Sequence, residues 1–347
     1  MYRLVRPLVF KLSPETAHDL SLDWISALYR LGIRGLWGHS VPAAPTQVCG
    51  LHFANQVGLA AGLDKNGDHI SGLGALGFGH LEIGTVTPRA QPGNDRPRMF
   101  RFAQQQALIN RMGFNNHGVE HMVRNLQRRD YSGVLGVNIG KNFDTPLANA
   151  ADDYLICLEQ VFPYADYITI NLSSPNTPGL RELQFGAALE RLLSQVLSRR
   201  DQLSRASGRT VPVMLKVAPD MSREDIEAMA ATVVKSGVDA IIATNTTLER
   251  PAVELDEVGG LSGKPLLDIA NQALKQWFEA LAGRLPLIGV GGIVAGEDAL
   301  TKIDAGAQLV QIYSGLIFRG PSLIRDIQQA LNTAPQQEAL DMKGLHD

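Results

Sequence analysis

Cysteine is nearly absent from this chain. Cys49 and Cys157 stand in unrelated surroundings, so neither a disulfide framework nor a metal-ligand spacing is present, and a reducing compartment suits the chain best. Long apolar runs are missing as well. No stretch approaches the roughly 18 residues of a membrane span, and Arg3 and Arg6 flank only a short Leu8-Val9-Phe10 patch, which lacks the apolar region of a secretory signal. Nor is there a basic excess. A formal charge of −3 without a dominant basic stripe argues against nucleic acid as the main partner.

What is present is enough apolar residue for one large core, 45% of 347 residues, and 34 glycines, many of them following strand-like runs. The first forty residues differ from the rest. They carry five Lys or Arg against three Asp or Glu. Ser13-Pro14-Glu15 offers an N-cap, a proline at the first helical position and an acid near the positive helix end. Ala17, Leu20, Trp24, Leu28 and Leu31 follow at spacings of three and four, which predicts a helix ending near Gly32 with an apolar stripe. Such a stripe suits a membrane-surface element as well as a helix packed on its own domain.

From Val57 a unit repeats in kind: an apolar strand, a polar or glycine-rich turn, then a helical pattern. Strands are predicted at Val57–Ala61, Leu81–Thr85, Val134–Ile139, Tyr167–Asn171, Val213–Val217, Ala240–Thr244, Leu287–Val290 and Leu309–Tyr313. Near-continuous apolar character suits parallel strands covered on both faces. Eight of them over roughly 250 residues predict a (β/α)8 barrel of the α/β class, with a small N-terminal helical extension. A doubly wound sheet would want a phosphate fingerprint after its first strand. Ala61-Gly62-Leu63-Asp64-Lys65 is not one. The expected division is therefore an amphipathic extension over 1–40, the barrel over 41–335 and a polar tail over 336–347.

In a barrel every strand end points to one face. That face would gather Asp64 and Lys65, Thr85 and Thr87, Asn138 and Lys141, Asn171, Ser173, Ser174 and Asn176, Lys216, Thr244 to Thr247, Gly291 and Gly292, and Tyr313 and Ser314. The loop after the fourth strand is stiff, because Pro175 and Pro178 press Ser174 and Thr177 toward extended backbone. Two long loops complete the face. Pro88–Phe114 holds a turn at Pro92-Gly93-Asn94-Asp95 and alternating arginine and aromatic residues, as in a solvated hairpin, and Thr247–Pro265 is placed to act as a lid.

The amides of Asn110, Asn171, Asn176 and Asn245 each offer a donor and an acceptor. Four of them suit a planar ligand edge that alternates C=O and N–H, as a pyrimidine or another cyclic imide does. Gly289-Val290-Gly291-Gly292-Ile293 and Tyr313-Ser314-Gly315 have the form of a barrel phosphate grip, although glycines also serve close helix packing. Lys65 and Lys216 inside the ring would steady an anionic ligand or a reduced flavin; a lysine paired structurally to an acid is the rival reading.

The segments Gly58–Lys65, Glu82–Pro88, Asn110–Asn115, Asn171–Asn176, Ala243–Thr247 and Ile288–Ile293 resemble dihydroorotate dehydrogenases, from the first helix to about Gly320. The resemblance implies FMN as cofactor, oxidation of dihydroorotate to orotate in pyrimidine biosynthesis, and Ser174 as the base that removes the C5 proton, with Thr177 a candidate relay. It implies FMN contacts at Ala61, Gly62, Leu63, Asp64, Lys65, Thr85, Asn138, Asn171, Lys216, Thr244, Gly263, Gly292, Tyr313 and Ser314. Orotate would meet Lys65, Asn110, Arg111, Met112, Gly113, Phe114, Asn171, Asn176, Asn245 and Thr246. Soluble members carry cysteine at the base position and lack the extension, so Ser174 and the Ser13–Leu31 helix point to the class 2, quinone-dependent members. For this chain that implies a membrane quinone as acceptor, with His18, Arg101 and Tyr313 as quinone contacts. It also implies a monomer held peripherally at the cytoplasmic face of the bacterial inner membrane.

Overall fold

The computed structural model describes residues 2–33, 41–251 and 256–334. Part of the extension, residues 34–40, and the expected tail at 336–347 lie outside the described residues. The chain opens with helices α1 (Tyr2–Val9) and α2 (Pro14–Arg30). The Ser13 hydroxyl accepts the Thr16 amide at 3.3 Å, so α2 begins where its cap and proline place it. Residues 2–9, read only as a short basic and apolar stretch, are helical as well. Tyr2 donates to the Ile317 carbonyl, and Arg6 to that of Phe318 at 2.7 Å.

Most of the apolar stripe of α2 does not face the barrel. Ala17 and Leu22 are buried, whereas Leu20, Trp24 and Leu31 are 44%, 64% and 72% exposed. The reason is local: Gly72 presents bare backbone on which a Cβ would sit 3.2 Å from the Ser26 Cα, so α2 nestles there on a different face. Leu4 and Leu8 of α1 are also exposed. No helix among the described residues is long and apolar enough to cross a membrane.

Eight parallel strands close the barrel: β1 (Val57–Leu59), β2 (His80–Val86), β3 (Val134–Ile139), β4 (Tyr167–Asn171), β5 (Val213–Val217), β6 (Ala240–Ala243), β7 (Leu287–Val290) and β8 (Leu309–Ile312). The eight predicted strands are these. Large inward side chains alternate with glycine. A Cβ at Gly58 would meet the His80 ring, and one at Gly136 would meet the Tyr167 ring, each at 2.0 Å. Above this layer lies a polar one. The Glu82 carboxylate, fully buried, accepts from Asn138 Nδ2 at 2.8 Å, Gln311 Nε2 at 3.0 Å and the Tyr167 hydroxyl at 3.2 Å.

Two additions frame the barrel. An antiparallel hairpin, Thr46–Val48 with Leu51–Phe53, sends Val48 and Phe53 into the cluster around Tyr167, Met214, Ile242, Ile288 and Leu309. At the other end, Met99–Phe102 and Ala107–Asn110 form a hairpin that Gly260–Gly263 joins as a third strand. The expected solvated hairpin and separate lid are therefore one sheet, with Ala107, Ile109 and Leu261 buried between them. Gly263 is required there: at φ 93°, a Cβ would fall 2.0 Å from the Gln106 carbonyl oxygen.

Candidate active site

A cavity of about 1040 Å³, counting its open mouth, sits over the strand ends. It brings together Ala61, Gly62, Lys65, Thr85, Asn171, Ser174, Asn176, Lys216, Thr244, Asn245, Thr246, Gly292, Tyr313 and Ser314, with Asn110, Met112, Gly113, Phe114 and Gly263 from the three-stranded sheet and its flanks. The side chains converge because each follows a parallel strand whose register is fixed by its neighbours.

The amides and hydroxyls form one mesh. Asn171 Nδ2 donates to Thr85 Oγ1 at 3.0 Å and Asn138 Oδ1 at 3.1 Å, and Thr85 Oγ1 donates to the same Asn138 oxygen at 2.5 Å. Asn171 Oδ1 accepts the Ser173 hydroxyl at 3.0 Å, which in turn accepts from Asn245 Nδ2 at 3.0 Å. Across the cavity, Asn176 Nδ2 donates to the Asn110 carbonyl at 3.1 Å. Ser174 is 6% exposed, and its Oγ accepts the Asn176 amide at 3.3 Å.

Positive charge enters through two lysines. Lys216 Nζ stands 3.8 Å from Glu82 Oε1, beyond hydrogen-bond reach, and burial pulls its pKa down while Glu82 opposes that. Burial pushes Lys65 down to about 8, against the pull of Glu15, Asp19 and Asp64. Two ammonium groups that line the cavity suit an anionic ligand. The barrel ladder ends at the Val290–Gln311 pair, so the backbone of Gly291, Gly292 and Ile293 runs along the cavity wall free of the sheet. A planar ring system carrying a phosphate fits this donor set: amides and ammonium groups at the strand ends, and loop backbone beyond β7 and β8.

Other expected residues stand elsewhere. Leu63 and Asp64 lie behind the wall, where the Asp64 carboxylate accepts the amides of Asn66, Asp68 and His69 at 3.3, 3.0 and 2.8 Å and so shapes the loop bearing Lys65. Asn138 sits one step below the cavity, between Thr85 and Glu82. Arg111 turns away and donates to Glu257, the Val258 carbonyl and the Pro97 carbonyl at 3.1, 3.1 and 2.9 Å. Arg101 donates to the carbonyls of Phe10 and Leu12 at 2.6 and 2.9 Å and lies 4.2 Å over the Phe10 ring. His18 is half-buried on α2, and burial with Lys65 and His69 nearby holds its imidazole well below the usual range. Tyr313 does line the cavity, its hydroxyl pushed up to about 12 by burial. Thr177 is buried two residues beyond Pro175.

Sequence reasoning missed Ser262, whose hydroxyl lies 2.8 Å from that of Ser314, and Gln311, an inward residue of β8. Gln311 had a signal, since it is the polar member of an otherwise apolar strand; Ser262 had none, because its strand forms only by pairing with distant residues.

A closed parallel barrel that gathers amides, hydroxyls and two lysines around one cavity at its strand ends has the construction of an enzyme for a small anionic substrate with an amide edge. Residues 43–334 match the dihydroorotate dehydrogenase family. The chain belongs to that family. It is 56% identical over 335 residues to a protein of Azotobacter vinelandii named dihydroorotate dehydrogenase (quinone), covering 95% of this chain and 96% of the relative. A Pseudomonas aeruginosa protein of the same name is 55% identical, covering 97% and 100%. The crystal structure of DHODH from Eimeria tenella in complex with ferulenol superposes with a TM-score of 0.83 at 35% identity, covering 93% of each chain.

Proposed function

We propose that this chain oxidises dihydroorotate to orotate in pyrimidine biosynthesis and delivers the electrons, through FMN, to a membrane quinone. The observation that carries the reading is the placement of Ser174 in one cavity with the amides of Asn110, Asn171, Asn176 and Asn245 and with Lys65 and Lys216. FMN would be held by Ala61, Gly62, Thr85, Lys216, Thr244, Gly263, Gly292, Tyr313 and Ser314, all of which line the cavity, and would supply the hydride acceptor for C6 of the substrate. Asn138 and Asn171 steady that cradle through Thr85, and Leu63 and Asp64 act behind it.

The four asparagines and Thr246 orient the substrate ring, Met112, Gly113 and Phe114 close over it, and Arg111 braces that segment. Lys65 faces the substrate carboxylate. Ser174 Oγ takes the C5 proton. A serine hydroxyl is a weak base in water, so the reaction depends on exclusion of solvent and on a rigid aim. Ser174 and Thr177 are 6% and 5% exposed, and Pro175 and Pro178 restrict the backbone between and beside them. The Thr177 hydroxyl is the next stop for the proton.

The electron acceptor would enter beside the N-terminal extension, which packs on the same hairpin that covers the cavity. Leu4, Leu8, Leu20, Trp24 and Leu31 are exposed and share α1, α2 and their edges with Arg3, Lys11 and Arg30. That combination lies flat in a bilayer interface, which supports peripheral membrane attachment; on this reading residues 1–40 are the quinone-access unit, 41–335 the catalytic barrel, and the cytoplasmic face of the inner membrane the proposed location. His18, Arg101 and Tyr313 are the polar contacts proposed for the quinone head.

The test is spectroscopic. The purified protein should carry a flavin spectrum that dihydroorotate bleaches without air and a ubiquinone analogue restores. A colourless protein, or a flavin that dihydroorotate leaves oxidised, would overturn the reading; faster restoration by fumarate or NAD would reassign the acceptor.

A further inference from the structure

Arg181 is outside the cavity lining, on the turn Leu180–Gln184 that follows the Ser174 loop. Its guanidinium nevertheless ties together the loops after three strands. Nε donates to the Ser173 carbonyl at 3.1 Å, Nη2 to the Thr246 carbonyl at 3.1 Å and Nη1 to Asp220 Oδ2 at 2.7 Å. Asp220, in the loop after β5, extends the tie: its carboxylate accepts the Thr247 hydroxyl and, at 3.1 Å, the Leu248 amide. Both side chains are mostly covered, 22% and 16% exposed.

We propose that Arg181, held by Asp220, is a positioning pair that sets Ser174 against the Asn245–Thr246 segment. The inference rests on the reading of Ser174 as the base. Nε and Nη2 occupy one edge of a planar group, so they hold two carbonyl oxygens from different loops side by side, an arrangement whose lone pairs would repel without a cation between them. The Ser173 carbonyl belongs to the peptide that carries Ser174. Arg181 therefore fixes that peptide plane from one side while Pro175 restricts Ser174 from the other. This matters because Ser174 Oγ has little of its own to aim it. Among the described residues its one hydrogen bond within the chain is the long contact from the Asn176 amide at 3.3 Å. A lysine would keep the charge but lose the edge, so the exchange is not conservative here.

The test uses the flavin-loaded protein and the variants Arg181→Lys, Arg181→Ala and Asp220→Asn, with Ser174→Ala as reference. Two rates are measured separately: bleaching of the flavin by dihydroorotate, and reoxidation of dithionite-reduced protein by a ubiquinone analogue. Bleaching should slow about 100-fold in both Arg181 variants, the scale of an ångström-sized misplacement, and about tenfold in Asp220→Asn, where one charge-assisted bond is weakened. Reoxidation and flavin content should stay at the parent level, and guanidinium ion at millimolar concentration should restore part of the Arg181→Ala rate. Amide hydrogen exchange should quicken together in residues 172–180 and 245–249, a readout independent of turnover. Bleaching within about threefold of the parent in the Arg181 variants, with Ser174→Ala inactive, refutes the pair alone; parent-level bleaching in Ser174→Ala refutes the base assignment instead. Equal losses in both half-reactions, or loss of flavin from Asp220→Asn as well as Arg181→Ala, would make the pair general support for the fold and sink the proposal.

Discussion

Lys65 should destabilise the protein that it serves. Burial pushes its pKa from 10.5 down to about 8, and each unit corresponds to about 1.36 kcal/mol. Holding the ammonium charged at pH 7 therefore costs about 3 kcal/mol, somewhat less where water at the cavity mouth screens it. The sign of the pH dependence follows. Between pH 8 and 10.5 the unfolded chain binds the proton that the folded chain has released, so stability rises with pH across that window, and the cost is present in full below it. Lys65→Met keeps the apolar stem and removes the charge. In the flavin-free chain it should raise stability at pH 7 by about 2–3 kcal/mol, which for 347 residues is about 4 °C in Tm. The gain should shrink to nothing as pH approaches 10.5, and orotate binding should be lost. Thermal unfolding of both proteins from pH 6.5 to 10.5 measures this. A Met variant less stable at pH 7, or a difference that does not change with pH, would refute the reasoning.

Three further outcomes can be checked alongside. Arg98 donates to Glu15 at 2.7 and 3.2 Å with side chains 6% and 15% exposed, so Arg98→Ala should cost about 3 kcal/mol and loosen α2 from the hairpin; quinone-driven reoxidation should slow at least about tenfold with dihydroorotate bleaching unchanged, as stopped-flow traces of the two half-reactions would register. Leu4 and Leu8 are 80% and 64% exposed; replacing both with serine removes at least about 3 kcal/mol of apolar transfer, a drop of about 100-fold in partitioning to lipid vesicles by flotation, while the barrel melts as before. A Cβ at Gly292 would lie 2.3 Å from the Leu267 Cα, at φ 83°, so Gly292→Ala should displace the loop after β7 and purify without flavin absorbance.

How far the sequence could be read depends on which contacts decide each feature. The eight strands were legible because parallel strands covered on both faces leave unbroken apolar runs such as Ala240–Ala243 and Leu309–Ile312, and α2 was legible from the Ser13 cap. The hairpin at Thr46–Phe53 was not, since three-residue strands are too short to show alternation. Gly260–Gly263 carries no strand signal at all; it is extended because Asn110, Ile109, Leu108 and Ala107 pair with it. The same limit governs the site. Strand-end position marks Lys65, Asn171 and Lys216 as cavity residues, but it cannot tell that Arg111 gives its donors to Glu257, Val258 and Pro97, or that Lys141 gives its own to the carbonyls of Asn142 and Thr145. Nor does a helical period say which face meets the protein. On α2 most of the stripe stays outside, and a backbone groove at Gly72, visible only after folding, buried Leu22 with Ala17, its one inward member. That choice separates the two ends of the reaction. The residues proposed for substrate and base sit at strand ends that cannot move without the barrel, whereas the exposed Leu20, Trp24 and Leu31 belong to an extension held by surface contacts such as Glu15 with Arg98 and Ser26 with His69. A loosened extension should therefore cost the protein its electron acceptor long before it costs the protein its chemistry.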